Sequence, residues 1–185
     1  MRTRDEYILD LPGDAGEMMP ASAPDPARRP VPEPSPDAPE PLDASFRSPT
    51  PDDAELLGEL MLDAFRGTLD YDGETLDEAI QEVRAYFAGT HGRALLACST
   101  LCMERGTLAA ACLVTWWDLR QAPLITYVMT GSDRKRRGLG ASVLQRSLAC
   151  LSRTGERSVR AVVTKGNRAS ERLLAGVGFA PAPDP

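Results

Sequence analysis

The chain has 185 residues, of which 42% are hydrophobic and 26% are charged, a composition that indicates a soluble globular protein with one ordinary domain. Its formal net charge of −6 argues against nucleic acid or membrane as a general partner, although Arg134-Lys135-Arg136-Arg137 is a dense basic run. No apolar stretch approaches the roughly 18 residues that cross a bilayer, and the N-terminus resembles no signal peptide, so we expect a cytoplasmic protein.

The first 43 residues divide into two parts of different character. Within residues 1–19, apolar and other residues alternate over residues 6–12, which predicts a short strand. This strand either adds to a sheet edge or frays as a terminus. Residues 20–43 contain nine of the sixteen prolines. Because proline fixes φ and donates no backbone hydrogen bond, this stretch is predicted to be a flexible linker, or alternatively a ligand for a partner domain.

The main domain, residues 44–185, is predicted to begin with two amphipathic helices. Thr50 as N-cap, followed by proline, predicts the start of the first helix, and Thr75 with Glu78 forms a capping box that starts the second. The polar, acidic segment at residues 66–74 is predicted to be a loop between them. Apolar residues recur at helical spacing in both helices: Leu57, Leu60, Met61, Ala64 and Phe65, then Leu76, Ala79, Ile80, Val83 and Phe87.

Three strands are predicted next. Residues 94–101 and 107–117 have the pattern of a hairpin that turns at residues 104–106, and residues 122–130 follow as a third strand. The alternation of this third strand places its side chains on two faces: Leu124, Thr126 and Val128 on one, and Ile125, Tyr127 and Met129 on the other.

The last predicted elements are a helix, a strand and a helix. Apolar spacing predicts a helix from Leu139, a β-branched run predicts a strand over residues 159–164, and Asn167 is the expected N-cap of a helix that ends at Gly176–Gly178. The resulting order, α-α-β-β-β-α-β-α, indicates an α/β fold.

The loop between the third strand and the next helix is the most informative segment. Unpaired backbone N–H groups collect at a helix N-terminus, where the macrodipole favours an anion. Gly138 and Gly140 allow phosphate oxygens to approach the main chain, and Lys135 and Arg137 add charge-assisted hydrogen bonds. The segment lacks the Gly-Lys-Ser/Thr of nucleotide P-loops and the Rossmann Gly-x-Gly-x-x-Gly.

This loop resembles the signature of the GNAT acetyltransferase superfamily, Arg/Gln-x-x-Gly-x-Gly/Ala, with Lys135, Gly138 and Gly140 at the matching positions. Residues 167–179, which run from an Asn to a Gly-Phe, resemble the family's last helix. The resemblance is specific in its residues over 124–179, and the preceding helices and hairpin match in their order.

The resemblance implies a GNAT fold in which a mixed central sheet splays into a V-shaped cleft between the strands at 122–130 and 159–164. Acetyl-CoA would bind in this cleft, and a β-bulge near the end of the first strand would present backbone groups to the thioester and pantetheine. The residues implied to contact acetyl-CoA are Val128, Met129 and Thr130 at the bulge, Lys135, Arg136, Arg137, Gly138, Leu139, Gly140 and Ala141 at the pyrophosphate, and Asn167 and Ser170 in the last helix.

The implied activity is transfer of an acetyl group from acetyl-CoA to an amine of a small molecule, protein or peptide, by direct attack in a ternary complex. The protein would act as a monomer or homodimer and without a metal. The family often has a thiolate-protonating Tyr where this chain has Leu174, which leaves a non-catalytic acyl-CoA-binding or sensor module as the alternative. The chain ends soon after Phe179, so the strand at 6–12 is the candidate replacement for shortened closing strands.

Three further patterns have both functional and ordinary structural interpretations. The acidic loop around Glu74 either supplies the catalytic base, with Glu74 as the candidate, or is simply solvated. The basic run is alternatively a nucleic-acid or nuclear-localisation patch, although its position before Gly-Leu-Gly favours phosphate binding. The four cysteines lack zinc-site spacing and are expected to be buried free thiols in a reducing compartment. They are Cys98, Cys102, Cys112 and Cys150.

Overall fold

The computed structural model describes residues 3–12 and 44–183, so the predicted linker at residues 20–43 lies outside the described residues. The described residues form strands and helices in the following order: β1 (Arg4–Asp10), β2 (Ala44–Arg47), α1 (Ala54–Phe65), α2 (Leu76–Phe87), β3 (Thr100–Glu104), β4 (Thr107–Trp117), β5 (Ala122–Thr130), α3 (Leu139–Arg153), β6 (Ser158–Thr164), α4 (Arg168–Gly176) and β7 (Ala180–Pro181).

The strands form one mixed sheet in the order β2-β3-β4-β5-β6-β1-β7. Neighbouring strands are antiparallel, except that β5 and β6 are parallel. One face packs against α1 and α2 around Leu113 and Met129, and the other packs against α3 and α4 around Val114 and Ile125. The expected α/β fold with a mixed, helix-flanked sheet is confirmed. Within residues 3–12 and 44–183, no helix combines the length and apolarity needed to cross a bilayer.

Local capping side chains set two of the helix starts. Thr75 Oγ1 accepts a hydrogen bond from the Glu78 N–H at 3.3 Å, and Glu78 Oε2 accepts one from the Thr75 N–H at 2.8 Å, which is the predicted capping box of α2. Asn167 caps α4 by accepting from the Ser170 N–H at 3.2 Å. The α1 helix begins later than predicted, because Pro51–Asp53 first form a 3-10 turn.

The strand predicted at residues 94–101 is interrupted. Ala94 forms a single antiparallel bridge with Thr115, Leu96–Cys98 then form a 3-10 turn, and β3 begins only at Thr100. The Ser99 hydroxyl oxygen accepts the Val114 N–H at 2.9 Å. A side chain therefore takes the place of a main-chain ladder partner at this point, which the alternation of apolar residues does not reveal.

The N-terminal strand β1 lies inside the sheet, between β6 and β7, and each of its residues pairs with β6. Leu9 is 5% exposed and contributes to the core. The Glu6 carboxylate accepts from Arg160 Nη1 and from Arg120 Nη2, each at 2.8 Å, so β1 is tied to β6 and to the β4–β5 turn. β1 thus occupies the sheet position beside β6 for which the strand at 6–12 was the candidate, and the two-residue β7 pairs on its other side. The strand predicted at residues 6–12 corresponds to β1, and the described residues add β2 and β7 to the predicted order.

The expectation of four free thiols is wrong for two of the cysteines. Cys98 and Cys150 form a disulfide, with 5.2 Å between their Cα atoms, that joins the turn before β3 to α3. Cys102 and Cys112 are free and buried, and burial raises the pKa of each thiol above its ordinary value. The bonded pair is separated by 52 residues, so no spacing rule relates the two cysteines in the sequence.

Candidate functional site

The sheet opens between its two parallel strands. In the β5–β6 register only Leu124 and Ile125 of β5 are paired, although β5 continues to Thr130 and β6 to Thr164. Beyond Ile125, β5 stays paired with β4 while β6 stays paired with β1, so the two halves of the sheet diverge. The V-shaped cleft is therefore present, and within the described sheet the β6-facing edge of β5 has no strand partner there.

The bulge in β5 is not where the resemblance implies. The register with β4 shifts between Ile125 and Tyr127, which leaves Thr126 as the extra residue. Residues 128–130, where the bulge was expected, pair with β4 in regular register. The expected position is therefore wrong, and the bulge lies where the cleft begins to open. The Thr126 hydroxyl is 2.9 Å from that of Thr115, its neighbour on β4.

The bulge also changes which side chains share a face of β5. Ile125 and Val128 pack in the core beneath α3, whereas Tyr127 and Met129 pack beneath α1 and α2. The prediction that Ile125 shares a face with Tyr127 and Met129 is wrong, because one extra residue inverts the alternation. Tyr127 therefore lies on the α1–α2 side of β5, directly after the opening of the cleft.

The loop after β5 places the N-terminus of α3 at the open end of the cleft. A 3-10 turn at Ser132–Arg134 is followed by two residues with positive φ, Arg136 at 65° and Gly138 at 81°. The first N–H groups of a helix have no intrahelical acceptor. In α3 the Ser142 N–H donates back to the Gly138 carbonyl at 2.9 Å. The N–H groups ahead of it, in residues 139–141, are positioned to bind an anion.

The two glycines of this loop differ in their surroundings. A Cβ added to Gly138 would meet nothing within 4 Å. A Cβ added to Gly140 would lie 3.0 Å from Thr130 Oγ1 and 3.9 Å from Val128 Cγ1. Gly138 thus supplies a left-handed turn with open space beside it, while Gly140 lets α3 approach β5 closely. Leu139, between them, is buried and offers only its main chain to the loop surface.

Two of the three arginines of the basic run, Arg134 and Arg137, form ion pairs with carboxylates of the protein. Glu104, at the end of β3, accepts from Arg137 Nη2 at 2.7 Å and from Arg134 Nε at 3.3 Å. These contacts, that of Arg137 foremost, keep the pKa of Glu104 below its ordinary value. Arg136 is exposed and has no ion-pair partner within the described residues. The pairing with Glu104 reduces the positive charge that this run presents to a nucleic acid.

The end of α1 is fastened to the same loop. The Asp63 carboxylate accepts the Ser132 N–H at 2.6 Å and the Ser132 hydroxyl at 2.8 Å. These hydrogen bonds, the main-chain one first, lower the pKa of Asp63. Lys135 Nζ donates to the Ala64 carbonyl at 2.8 Å. Lys135, which stands at the Arg/Gln position of the signature, therefore links the loop after β5 to the end of α1.

Asn167 joins α4 to the loop between α1 and α2. Its Nδ2 donates to Asp70 Oδ2 at 2.7 Å, while its Oδ1 accepts the Ser170 N–H. Leu69 of the same loop lies beside Gly166, since a Cβ on that glycine would be 3.8 Å from Leu69 Cδ1. The α1–α2 loop therefore reaches from the end of α1, packed on β5, to the end of β6. It spans the open end of the cleft.

The position of Glu74, the candidate base, is fixed by its own loop. Its Oε2 accepts the Asp72 N–H at 2.9 Å, and its carbonyl accepts the Tyr71 hydroxyl at 3.4 Å. Leu174, at the position where the family often has Tyr, is 4% exposed and packs in the core. Glu74 is thus held by its own loop, and Leu174 has no group that could transfer a proton.

A group of polar side chains that no sequence motif indicates lies on the α1–α2 side of β5. The Tyr127 hydroxyl donates to Glu82 Oε1 on α2. His91 Nε2 lies 2.9 Å from the same oxygen, at an angle that does not meet that of a hydrogen bond. Burial and then Glu82 raise the pKa of Tyr127, so its phenol stays protonated at neutral pH. Because Tyr127 and Glu82 are 45 residues apart, no local motif signals the contact.

Comparison with known proteins agrees with this geometry. Residues 103–183 match the family described as FR47-like protein. A search of curated protein sequences finds no match. Among solved structures, a GCN5-related N-acetyltransferase from Sphaerobacter thermophilus has a TM-score of 0.64 at 18% identity, over 98% of this chain and 49% of that one. The chain thus spans about half the length of that relative.

Two shorter relatives were solved with ligands. The yncA protein of Salmonella typhimurium, a putative acetyltransferase with its cofactor acetyl-CoA, has a TM-score of 0.57 at 18% identity, covering 74% of this chain and 79% of its own. Diaminobutyrate acetyltransferase EctA from Paenibacillus lautus, in complex with L-2,4-diaminobutyric acid and coenzyme A, has a TM-score of 0.53 at 17% identity, covering 72% and 74%. At such identities the likeness establishes the fold.

Proposed function

We propose that this GNAT-type chain, whose residues 103–183 are FR47-like and whose fold is that of the GCN5-related N-acetyltransferases, transfers an acetyl group from acetyl-CoA to an amine. One observation supports the proposal most strongly: β5 splays from β6 beside the N-terminus of α3. A main-chain anion site and a strand edge with unpaired groups therefore share one cleft. A thioester attached to a diphosphate-bearing chain needs both.

In this proposal the pyrophosphate of acetyl-CoA lies against the main chain of residues 138–141 at the start of α3. Arg136, which is exposed, adds attraction from solvent. The side chains of Lys135 and Arg137 shape the loop through the α1 carbonyl and the carboxylate that they contact. Asn167 would face the pantetheine once it exchanges its present partner on the α1–α2 loop.

The acetyl group would lie at the opening of the cleft, along residues 126–130 of β5. Main-chain groups there that face β6 are available to the pantetheine amides and the thioester carbonyl. A preorganised N–H that binds the developing oxyanion contributes about 2.7–4 kcal/mol to lowering the barrier. A neutral amine held close to the thioester would then attack directly. Because a thiolate is a tolerable leaving group, the buried Leu174 does not prevent the reaction.

The amine would approach from the α1–α2 side. The phosphate loop and α3 occupy one side of the open end, and the loop between α1 and α2 spans the other. Asp70 and Glu74 of that loop are carboxylates that would attract a cationic amine. Glu74 stays a candidate base only if its contact with Asp72 breaks on binding.

Two measurements on the full chain test this function. Calorimetry with acetyl-CoA is expected to show 1:1 binding, and absence of binding contradicts both acetyl transfer and the acyl-CoA sensor alternative. A thiol-release assay then uses a panel of L-2,4-diaminobutyrate, spermidine, a lysine-containing peptide and a peptide with a free N-terminus. Release with any amine, together with a mass increase of the acceptor by one acetyl group, supports the enzyme. Binding without release from any of them favours the sensor.

A further inference from the structure

We infer that Tyr127 is a catalytic proton-transfer residue of the proposed acetyl transfer, and that Glu82 and His91 form a proton relay behind it. The inference rests on the proposed function and assigns the proton transfer that Leu174 of α4 has no group to perform and that Glu74 performs only if its contact with Asp72 breaks. The Tyr127–Glu82–His91 relay connects the α1–α2 side of the cleft to solvent.

The position of Tyr127 follows from the bulge. It is the first residue after Thr126, where β5 has just lost its pairing with β6. Its side chain lies among those beneath α1 and α2, with its ring 6.5 Å from that of Phe65. Arg4, whose strand partner in β6 is Thr164, lowers the pKa of the phenol slightly, against the larger raising effects of burial and Glu82. Tyr127 thus belongs to the stretch of β5 that borders the cleft, on the side covered by α1 and α2.

The groups around the phenol determine how it transfers a proton. Glu82 from α2 accepts the hydroxyl proton and His91 lies beside the same carboxylate oxygen, while Arg4 of β1 is the charged group that lowers the pKa of the phenol. Because the pKa of Tyr127 is raised, the residue works as a neutral phenol that takes a proton while passing its own to the carboxylate. The Glu82 side chain is 40% exposed and that of His91 is 34% exposed, so the far end of the relay is open to water.

The step balances in protons and electrons. The acceptor arrives as an ammonium ion, and one proton passes to the Tyr127 oxygen as the Tyr127 proton passes to Glu82. The freed nitrogen lone pair forms the C–N bond at the thioester carbonyl, the C–S bond breaks, and CoA leaves as a thiolate. The thiolate takes a second proton from the nitrogen, which leaves a neutral amide N–H. The proton on Glu82 passes to solvent, to which that side chain is 40% exposed, and His91 takes part once its ring turns so that Nε2 meets the carboxylate oxygen in line.

The test uses three variants of the full chain and the panel amine with the fastest turnover. Glu82→Gln keeps an oxygen that accepts from Tyr127 but removes the proton acceptor. Tyr127→Phe keeps the ring and removes the hydroxyl. Glu59→Gln is the matched control, since Glu59 is an exposed carboxylate on the neighbouring helix α1. All are measured for acetyl-CoA affinity and for kcat/KM of the amine between pH 6.5 and the amine's own pKa, about 10 for an alkyl amine.

At pH 7 we expect kcat/KM to fall about 100-fold or more in Glu82→Gln and Tyr127→Phe, since general base catalysis contributes about 10²–10⁴-fold. Acetyl-CoA affinity is expected to stay within about twofold, and the deficit is expected to shrink as the amine deprotonates in solution at higher pH. Wild-type-like rates, or a deficit that is equal at every pH, would overturn the relay. If the wild-type chain releases no thiol with any amine, the proposed acetyl transfer is contradicted, and the relay that depends on it is contradicted as well.

Discussion

Gly138 allows a sharp test of the phosphate loop, because the chain contains a near-identical glycine elsewhere. Gly138 precedes α3 with φ of +81°, and Gly155 follows the same helix with φ of +85°. A Cβ added at either position meets nothing within 4 Å. Gly138→Trp and Gly155→Trp therefore impose similar backbone strain in similar open space, and only the first lies at the proposed anion site.

The expected magnitudes follow from these geometries. A left-handed conformation costs an L-residue about 1–2 kcal/mol, so both variants should lose about 2–8 °C in Tm. A tryptophan at Gly138 would also keep the diphosphate from the N–H groups at the start of α3. Each favourable interaction of charge with that terminus contributes about 0.3–1 kcal/mol, and up to about 2. Loss of two or three amounts to about 1–3 kcal/mol, or about 5- to 150-fold in Kd.

The assay is calorimetric titration with acetyl-CoA, accompanied by thermal melts of both variants. Gly138→Trp should bind about 5- to 150-fold more weakly than wild type, and Gly155→Trp should bind like wild type. Equal affinities for the two folded variants would refute the placement of the diphosphate. This holds whether both bind like wild type or both bind equally weakly, because an equal loss would come from lowered stability and not from the site.

The remaining predictions concern stability. Leu9→Ala should lower the free energy of unfolding by about 2–5 kcal/mol, since Leu9 is 5% exposed. The control Leu119→Ala, at a side chain that is 77% exposed, should change it by less than about 0.5 kcal/mol. Equal urea midpoints for the two variants would contradict the placement of β1. The Arg47 hydrogen bond lowers the pKa of Asp53 from 3.8 to about 2, so this carboxylate stabilises the fold above pH 3.8 and loses its contribution as pH falls to about 2. Unfolding free energies in acid should show about 1–2 kcal/mol lost over that window, and Asp53→Asn should not show this loss; the same loss in both would assign it to other groups.

The sequence predicts best those features that depend on local contacts. The capping box of Thr75 and Glu78 and the cap at Asn167 each involve residues three positions apart, so the pattern and its physical cause lie together in the chain. The strand end, loop and helix start around Gly138, on which the proposed anion site depends, are predictable for the same reason, because they are consecutive in the chain.

Features that depend on a partner strand are not visible in one segment. The alternation of β5 is uninterrupted in the sequence, but β4 pairs so that Thr126 is extra. That single residue inverts the faces and places Tyr127 beneath α1 and α2. Likewise, Leu9 alternates as any short strand does, and only its pairing with β6 makes β1 internal to the sheet.

Side-chain partners far apart in the sequence are the other missed class. Lys135 donates a hydrogen bond to the carbonyl of Ala64, 71 residues away. A side chain expected to bind phosphate therefore contacts α1 instead. The disulfide of Cys98 joins residues on separate elements, as does the contact of Tyr127 with α2. Composition and spacing constrain none of these pairs, because each forms only after the sheet and helices pack.

An amide NMR titration of the labelled chain with acetyl-CoA tests most directly whether the start of α3 and the open edge of β5 form one binding cleft. We expect saturable shifts that are largest at the N–H groups of residues 138–141 and 126–130. Coenzyme A should reproduce the first set and only part of the second, since it lacks the acetyl group. Saturable binding whose shifts avoid both segments would contradict the account.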